Sequence, residues 1–186
     1  MKFDYFRCFL KKYFKRAFSL IEILVCISIL LVLASTTIPR FFDVDKALLM
    51  HELDKLFVTF SYVQQKAIAS NTQQMIRFEL VTNSYFYLNQ AHKQVPQALA
   101  NSIKFGFLKT AKGPPSTPVN FIKKPITFEN QKTPLQVIFY PDGKITPGSL
   151  YLVDKKEKNM VALTCSISQV SYVRKYVYNK STWVCI

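Results

Sequence analysis

The sequence predicts an α+β protein in which a long, bent N-terminal helix is followed by a domain of antiparallel β-strands. An apolar run over residues 18–38 contains one charge and is long enough for a helix that crosses a bilayer. Apolar residues then recur at steps of three and four from Leu49 to Ala67, which is typical of an amphipathic helix. After Asn71 they alternate in short runs, which indicates strands.

These patterns divide the 186 residues into four parts. Residues 1–17 form a leader with six basic residues and one acid, and residues 18–38 form a membrane or filament-core helix. Residues 39–71 form the amphipathic helix, and residues 72–186 form one β-rich domain. Because basic flanks stay on the cytoplasmic side, we expect the C-terminal domain on the opposite side of the membrane. A secretory signal fits poorly, because its apolar region is shorter. An uncleaved anchor is the other alternative.

The one charge inside the apolar run, Glu22, needs a reason. A carboxylate in such a segment costs about 3 kcal/mol at the bilayer centre and less near its edge. Cutting the chain between Ala17 and Phe18 would free an α-amine close to the electropositive N-terminus of the helix. The carboxylate of Glu22 could then pair with the amine of its own chain or of a neighbouring subunit. We therefore expect Glu22 to favour lateral assembly.

The segment around this junction resembles the N-terminal signature of type IV prepilins and type II secretion pseudopilins. Phe18, Leu20, Ile21 and Glu22 match that signature, with Ala17 in place of the usual Gly. The resemblance implies insertion in the bacterial inner membrane with a periplasmic domain. It also implies cleavage after Ala17 and N-methylation of Phe18 by a prepilin peptidase, and assembly with other pilin or pseudopilin subunits.

Farther along, Pro39 lies where pilin helices often carry a proline that distorts the helix, so we expect a kink there. The amphipathic helix is predicted from Asp43 to Ser70, and four of the nine prolines fall in a loop over residues 112–125. The predicted strands are Gln74–Leu80, Ser84–Asn89, Ile103–Leu108, Ile126–Glu129, Leu135–Tyr140, Ser149–Val153, Met160–Ser168 and Gln169–Tyr178.

Two stretches are similar to a narrower group, the minor pseudopilin H and FimT-like family. Leu56–Phe78 resembles that family's passage from helix to first strand, and Val137–Leu152 resembles its hairpin around a Phe-x-Pro-Asp-Gly turn. The turn chemistry also has its own explanation, since Pro fixes φ and Gly supplies a positive φ. A major pseudopilin is disfavoured because no Asp-rich calcium loop is present near the C-terminus, and Glu22 disfavours the tip subunit that lacks this acid.

The cysteines predict one disulfide. Cys165 and Cys185 fall in the exported domain, where a bridge can persist, so we expect them to pair; two unpaired thiols are the alternative. Cys8 would be lost with the leader, and Cys26 is interpreted as a packing residue in the membrane helix. No Cys-x-x-Cys or His-Glu-x-x-His motif is present. We therefore expect no metal, no cofactor and no enzymatic activity.

Basic residues near the C-terminus suggest a second partner. Arg174, Lys175 and Lys180 lie among tyrosines and a tryptophan, a composition that suits nucleic-acid binding. The alternative is an exposed basic surface near anionic lipid. The preferred interpretation is a structural subunit that initiates, caps or adapts a pilus or secretion pseudopilus, or contacts its cargo. A DNA-binding minor pilin for transformation and a lone membrane-anchored binding domain are the competing interpretations.

Overall fold

The computed structural model describes residues 19–41, 44–88, 93–113, 119–130, 133–166, 172–179 and 181–186, with the backbone alone for 36–41, 129–130 and 133–134. The chain divides into two compact units, residues 1–43 and residues 44–186. The leader predicted over residues 1–17 lies outside the described residues.

The first unit contains helix α1, Leu20–Phe41. The helix continues past Pro39 to Phe41, as expected for a long helix with a proline inside it. The division predicted between residues 38 and 39 stays a prediction. Within the described residues, no helix is both long enough and apolar enough to cross a membrane. The span predicted over residues 18–38 begins outside those residues and stays a prediction, as does a kink at Pro39.

The second unit begins with helix α2, Val44–Ser70. Its buried face contains every residue of the predicted apolar stripe: Leu49, Leu53, Leu56, Phe60, Val63 and Ala67. Asn71 ends the helix in the left-handed region, at φ 48°. The amide of Asn71 donates to the carbonyl of Ile68, and the amide of Thr72 donates to that of Ala67. These two bonds form a Schellman cap, which satisfies carbonyls that the helix end would otherwise leave free.

Eleven strands are described in the second unit. They are β1 Gln74–Glu79, β2 Ser84–Leu88, β3 Gln94–Ala98, β4 Ile103–Phe105, β5 Glu129–Asn130, β6 Thr133–Pro134, β7 Gln136–Phe139, β8 Gly148–Asp154, β9 Met160–Cys165, β10 Val173–Asn179 and β11 Thr182–Cys185. One sheet has the order β3-β2-β1-β7 and a second has the order β11-β10-β9-β8-β4, while β5 and β6 pair with each other. All of the pairings are antiparallel, which confirms the predicted α+β class.

The main core lies between α2 and the inner faces of both sheets. Phe60 is at its centre, with its ring 6.3 Å from that of Phe78, 6.1 Å from that of Phe128 and 5.5 Å from that of Phe139. A second, smaller core covers the opposite face of the β8–β11 sheet. Here part of the predicted Pro-rich loop packs on the sheet, and the indole of Trp183 donates to the carbonyl of Lys112 at 2.7 Å.

Candidate assembly site

The residues predicted to be cleaved and methylated, Ala17 and Phe18, lie outside the described residues, which begin at Ser19. The carbonyl of Ser19 accepts hydrogen bonds from the amides of Glu22 at 2.9 Å and Ile23 at 3.2 Å. Ser19 therefore occupies the N-cap position, and Glu22 stands three residues beyond it. This spacing of Ser and Glu is the signature of a capping box, a local signal that the sequence analysis missed.

Glu22 lies in the first turn of α1 and is exposed. The first amides of a helix carry a partial positive charge, so a carboxylate is favoured at this end even before it meets a cation. An acidic side chain at this position therefore favours the start of the helix.

The apolar side chains of α1 are exposed around its whole circumference. The large ones from Leu20 to Leu33 are between 49% and 77% exposed. Two serine hydroxyls of the helix are satisfied locally, since that of Ser28 donates to the carbonyl of Leu24 and that of Ser35 to the carbonyl of Val32, both at 2.8 Å. Fully burying one such apolar side chain contributes about 1.5–3 kcal/mol. Covering these exposed side chains in an apolar environment is therefore favourable.

The basic residues near the C-terminus do not form one patch. Arg174 and Lys175 are neighbours on β10, so their side chains leave opposite faces of the sheet. Lys175 faces α2, where its ammonium bonds the carboxylate of Asp54 at 2.7 Å and lies 5.2 Å from the ring of Phe57. Arg174 instead lies over the ring of Tyr172 at 4.5 Å. The third predicted member, Lys180, lies outside the described residues.

The predicted disulfide between Cys165 and Cys185 is wrong. Both are free thiols, one buried and the other exposed. Cys165 pairs with Val173 and Cys185 with Tyr176, so strand β10 lies between the two cysteines. Neighbouring strands are about 4.8 Å apart, so two strand spacings exceed the roughly 7 Å that a disulfide can bridge. Cys26, interpreted as a packing residue, is exposed on α1.

The hairpin that resembled the H and FimT-like family is a turn with a structural explanation. The carboxylate of Asp142 accepts from the amide of Lys144 at 3.1 Å and pairs with its ammonium at 2.7 Å. Gly143 has a φ of 83°, which a residue with a side chain rarely adopts. Among the described residues, no cluster of His, Cys, Asp and Glu could hold a metal ion. Asp142 therefore serves the turn.

Comparison with known proteins supports the N-terminal interpretation. Residues 14–38 match the prokaryotic N-terminal methylation motif. No curated protein matches the chain. Two solved structures of the minor pseudopilin EpsH from the type II secretion system of Vibrio cholerae are similar to it, at 12% and 13% identity. The two alignments cover 67% and 69% of this chain and 94% of each solved chain, and each has a TM-score of 0.45.

The methylation motif ends within helix α1, and the antiparallel β domain follows it along the chain. That order of parts is the one that the prepilin resemblance implies. The chain thus carries the prokaryotic N-terminal methylation motif at residues 14–38, followed by an antiparallel β domain.

Proposed function

We propose that this protein is inserted in the bacterial inner membrane, cut after Ala17, methylated on Phe18 and built into a pilus or secretion pseudopilus. The observation that carries the proposal is the methylation motif at residues 14–38, which overlaps a helix with exposed apolar side chains and a single acid, Glu22. Before assembly, lipid covers that apolar surface. In the filament, the helices of other subunits cover it, while the β domain faces the periplasm.

In this proposal, Glu22 is the assembly residue. Its carboxylate lies in the first turn of α1, four residues along the chain from Phe18, where cleavage would expose an amine. An amine from an adjacent subunit would neutralise it inside the apolar filament core, where an unpaired charge costs several kcal/mol. The pairing therefore favours the assembled state over a subunit alone in lipid.

Processing is tested by intact-mass analysis of the protein extracted from membranes that contain an active prepilin peptidase. We expect loss of residues 1–17 and the addition of one methyl group. Replacing Ala17 with Gly should preserve cleavage, whereas a bulky charged residue at position 17 should block it. A full-length mass with an intact Met1 would overturn the proposal in favour of an uncleaved anchor.

Assembly is tested by Glu22→Ala, with Glu79→Ala as the matched control because Glu79 is an exposed acid of the β domain. Removing the charge makes α1 more apolar, so membrane insertion should be preserved while recovery in sheared filaments falls at least tenfold. The control should assemble like the wild type. Wild-type recovery of Glu22→Ala would show that charge pairing is not the role of this residue.

The DNA-binding alternative gains no support from this geometry. Lys175 is held by Asp54 on the α2 face, away from Arg174. Phosphate binding by several cations needs them on one surface. We therefore advance the filament role alone.

A further inference from the structure

The outer face of the β3-β2-β1-β7 sheet carries a cleft. Strand β1 alternates, so that Ile76 and Phe78 point into the main core while Met75 and Arg77 point away from it. On that outer side, a cleft of about 420 Å³ lies over β1 and β2. Its volume falls within the range of protein pockets that bind ligands, roughly 300–1,000 Å³.

The walls of this cleft are largely apolar. Met75 is 42% exposed, and Phe86 and Leu88 are half-buried. Phe86 pairs with Arg77 across the ladder, and Leu88 lies two residues farther along β2 on the same face. A thioether adapts to ligands of different shape, while an aromatic ring offers a large flat contact. Covering these side chains would remove apolar surface from water, which is favourable.

Arg77 is the one cation among the described residues that line the cleft. It lies between Phe86 on β2 and Gln136 on β7, so neither cross-strand neighbour offers it a carboxylate. Glu79 also lines the cleft, two residues and about 6.6 Å along the same strand. Among the described residues, no acid makes an ion pair with Arg77. The planar donors of this guanidinium are therefore available to a carboxylate from outside.

We propose that the cleft binds a short extended segment of an acidic partner protein, in which one Asp or Glu is flanked by apolar side chains. This inference goes beyond the filament role and stands on the cleft alone. The carboxylate of the segment accepts hydrogen bonds from the guanidinium of Arg77, and the apolar neighbours of that acid cover Met75 and Phe86.

The charge of the domain selects an acidic partner. Residues 44–186 contain eighteen lysines and arginines against eight acids, so their field attracts a negatively charged protein and repels a second copy of this chain. A nucleic acid or an anionic membrane is bound by several cations on one surface, and the described lining has Arg77 alone. A single arginine among apolar side chains instead fits one carboxylate of a peptide segment.

Peptide selection tests this specificity. A displayed library of random peptides of about seven residues is selected on the full chain in detergent. The variant is Arg77→Gln, and the control is Arg174→Gln, because Arg174 is an exposed arginine on β10 of the other sheet. We expect the wild type and the control to enrich peptides with an acid between apolar residues, and Arg77→Gln to lose that preference. The same preference in Arg77→Gln, or no acidic preference in the wild type, would overturn the proposal.

The affinity of the most enriched peptide, measured by fluorescence anisotropy, then separates the two kinds of contact. Changing its acid to the corresponding amide should weaken binding to the wild type about tenfold, and binding to Arg77→Gln by less than about twofold. Phe86→Ala should weaken the acidic and the amide peptide equally, because it removes apolar contact alone.

Two further measurements check the sign of the charge and the class of ligand. Glu79→Gln should bind the acidic peptide more tightly than the wild type, because it removes a charge that repels the ligand. Weaker binding by Glu79→Gln would refute an acidic ligand. Single-stranded DNA and phosphatidylglycerol vesicles should bind Arg77→Gln as they bind the wild type. Loss of either, with peptide binding unchanged, would replace the peptide by that ligand.

Discussion

A buried carboxylate on α2 gives the sharpest prediction about stability. Glu52 is 5% exposed and interrupts the otherwise apolar face of the helix. Its Oε2 atom is buried without a hydrogen-bond partner among the described residues. The ammonium of Lys55 lies 3.9 Å from that oxygen, farther than a hydrogen bond reaches. We therefore expect that Glu52→Met, which keeps a similar length and removes the charge, stabilises the domain.

The expected gain in the free energy of unfolding is set by two opposing contributions, the attraction between Glu52 and Lys55 and the cost of removing the carboxylate from water. At 3.9 Å, the attraction between the two charges is about 4 kcal/mol for an effective dielectric constant of about 20. Removing a carboxylate from water costs several kcal/mol, and a contact longer than a hydrogen bond offsets that cost incompletely. Apolar replacements of buried ion pairs commonly stabilise by about 1–4 kcal/mol. Lys55 is one-third exposed and can return to water, so we expect a gain of about 1–3 kcal/mol.

The assay is urea unfolding of the full chain in detergent, followed by the fluorescence of Trp183, the single tryptophan. That side chain reports on the β domain because its ring packs against those of Tyr151 and Tyr178. Glu79→Met changes an exposed acid and should stay within about 0.5 kcal/mol of the wild type. A lower free energy of unfolding for Glu52→Met than for the wild type would refute the reasoning, because Glu52 would then make a stabilising contact.

Two further predictions concern the core and the thiols. Phe60→Ala should lower the free energy of unfolding by about 3–5 kcal/mol, because it removes the ring on which three others pack. Tyr62→Ala is the control at a more exposed position of the same helix, and it should lower the free energy of unfolding clearly less in the same urea assay. Burial raises the pKa of the Cys165 thiol to about 12, so its reactive thiolate is scarce below that pH. In the native protein at about pH 8, iodoacetamide should therefore label exposed Cys185 and spare Cys165, and both should react in denaturant without a reducing agent. Peptide mapping that finds a Cys165–Cys185 bridge would contradict the separation of these strands.

Several features failed to emerge from local patterns for identifiable reasons. Strand β3 contains Pro96, which argues against a strand until its edge position is known. Strand β11 was not predicted beyond Tyr178, because four residues next to a chain end give little periodicity. The disulfide failed because the spacing of two cysteines in sequence does not reveal that β10 passes between them. The separation of Arg174 from Lys175, in contrast, follows from strand alternation and could have been predicted.

The sequence by itself determined the parts that depend on neighbours along the chain. The methylation motif, the apolar run with its single acid, the buried stripe of α2 and the Pro-Asp-Gly turn are all set by short-range periodicity and backbone preference. Tertiary structure alone decided which strands are neighbours. It therefore decided that Glu52 is buried, that Cys165 and Cys185 are apart, and that β11 is the last strand of its sheet among the described residues. These properties depend on contacts between residues far apart in sequence, which no local pattern encodes.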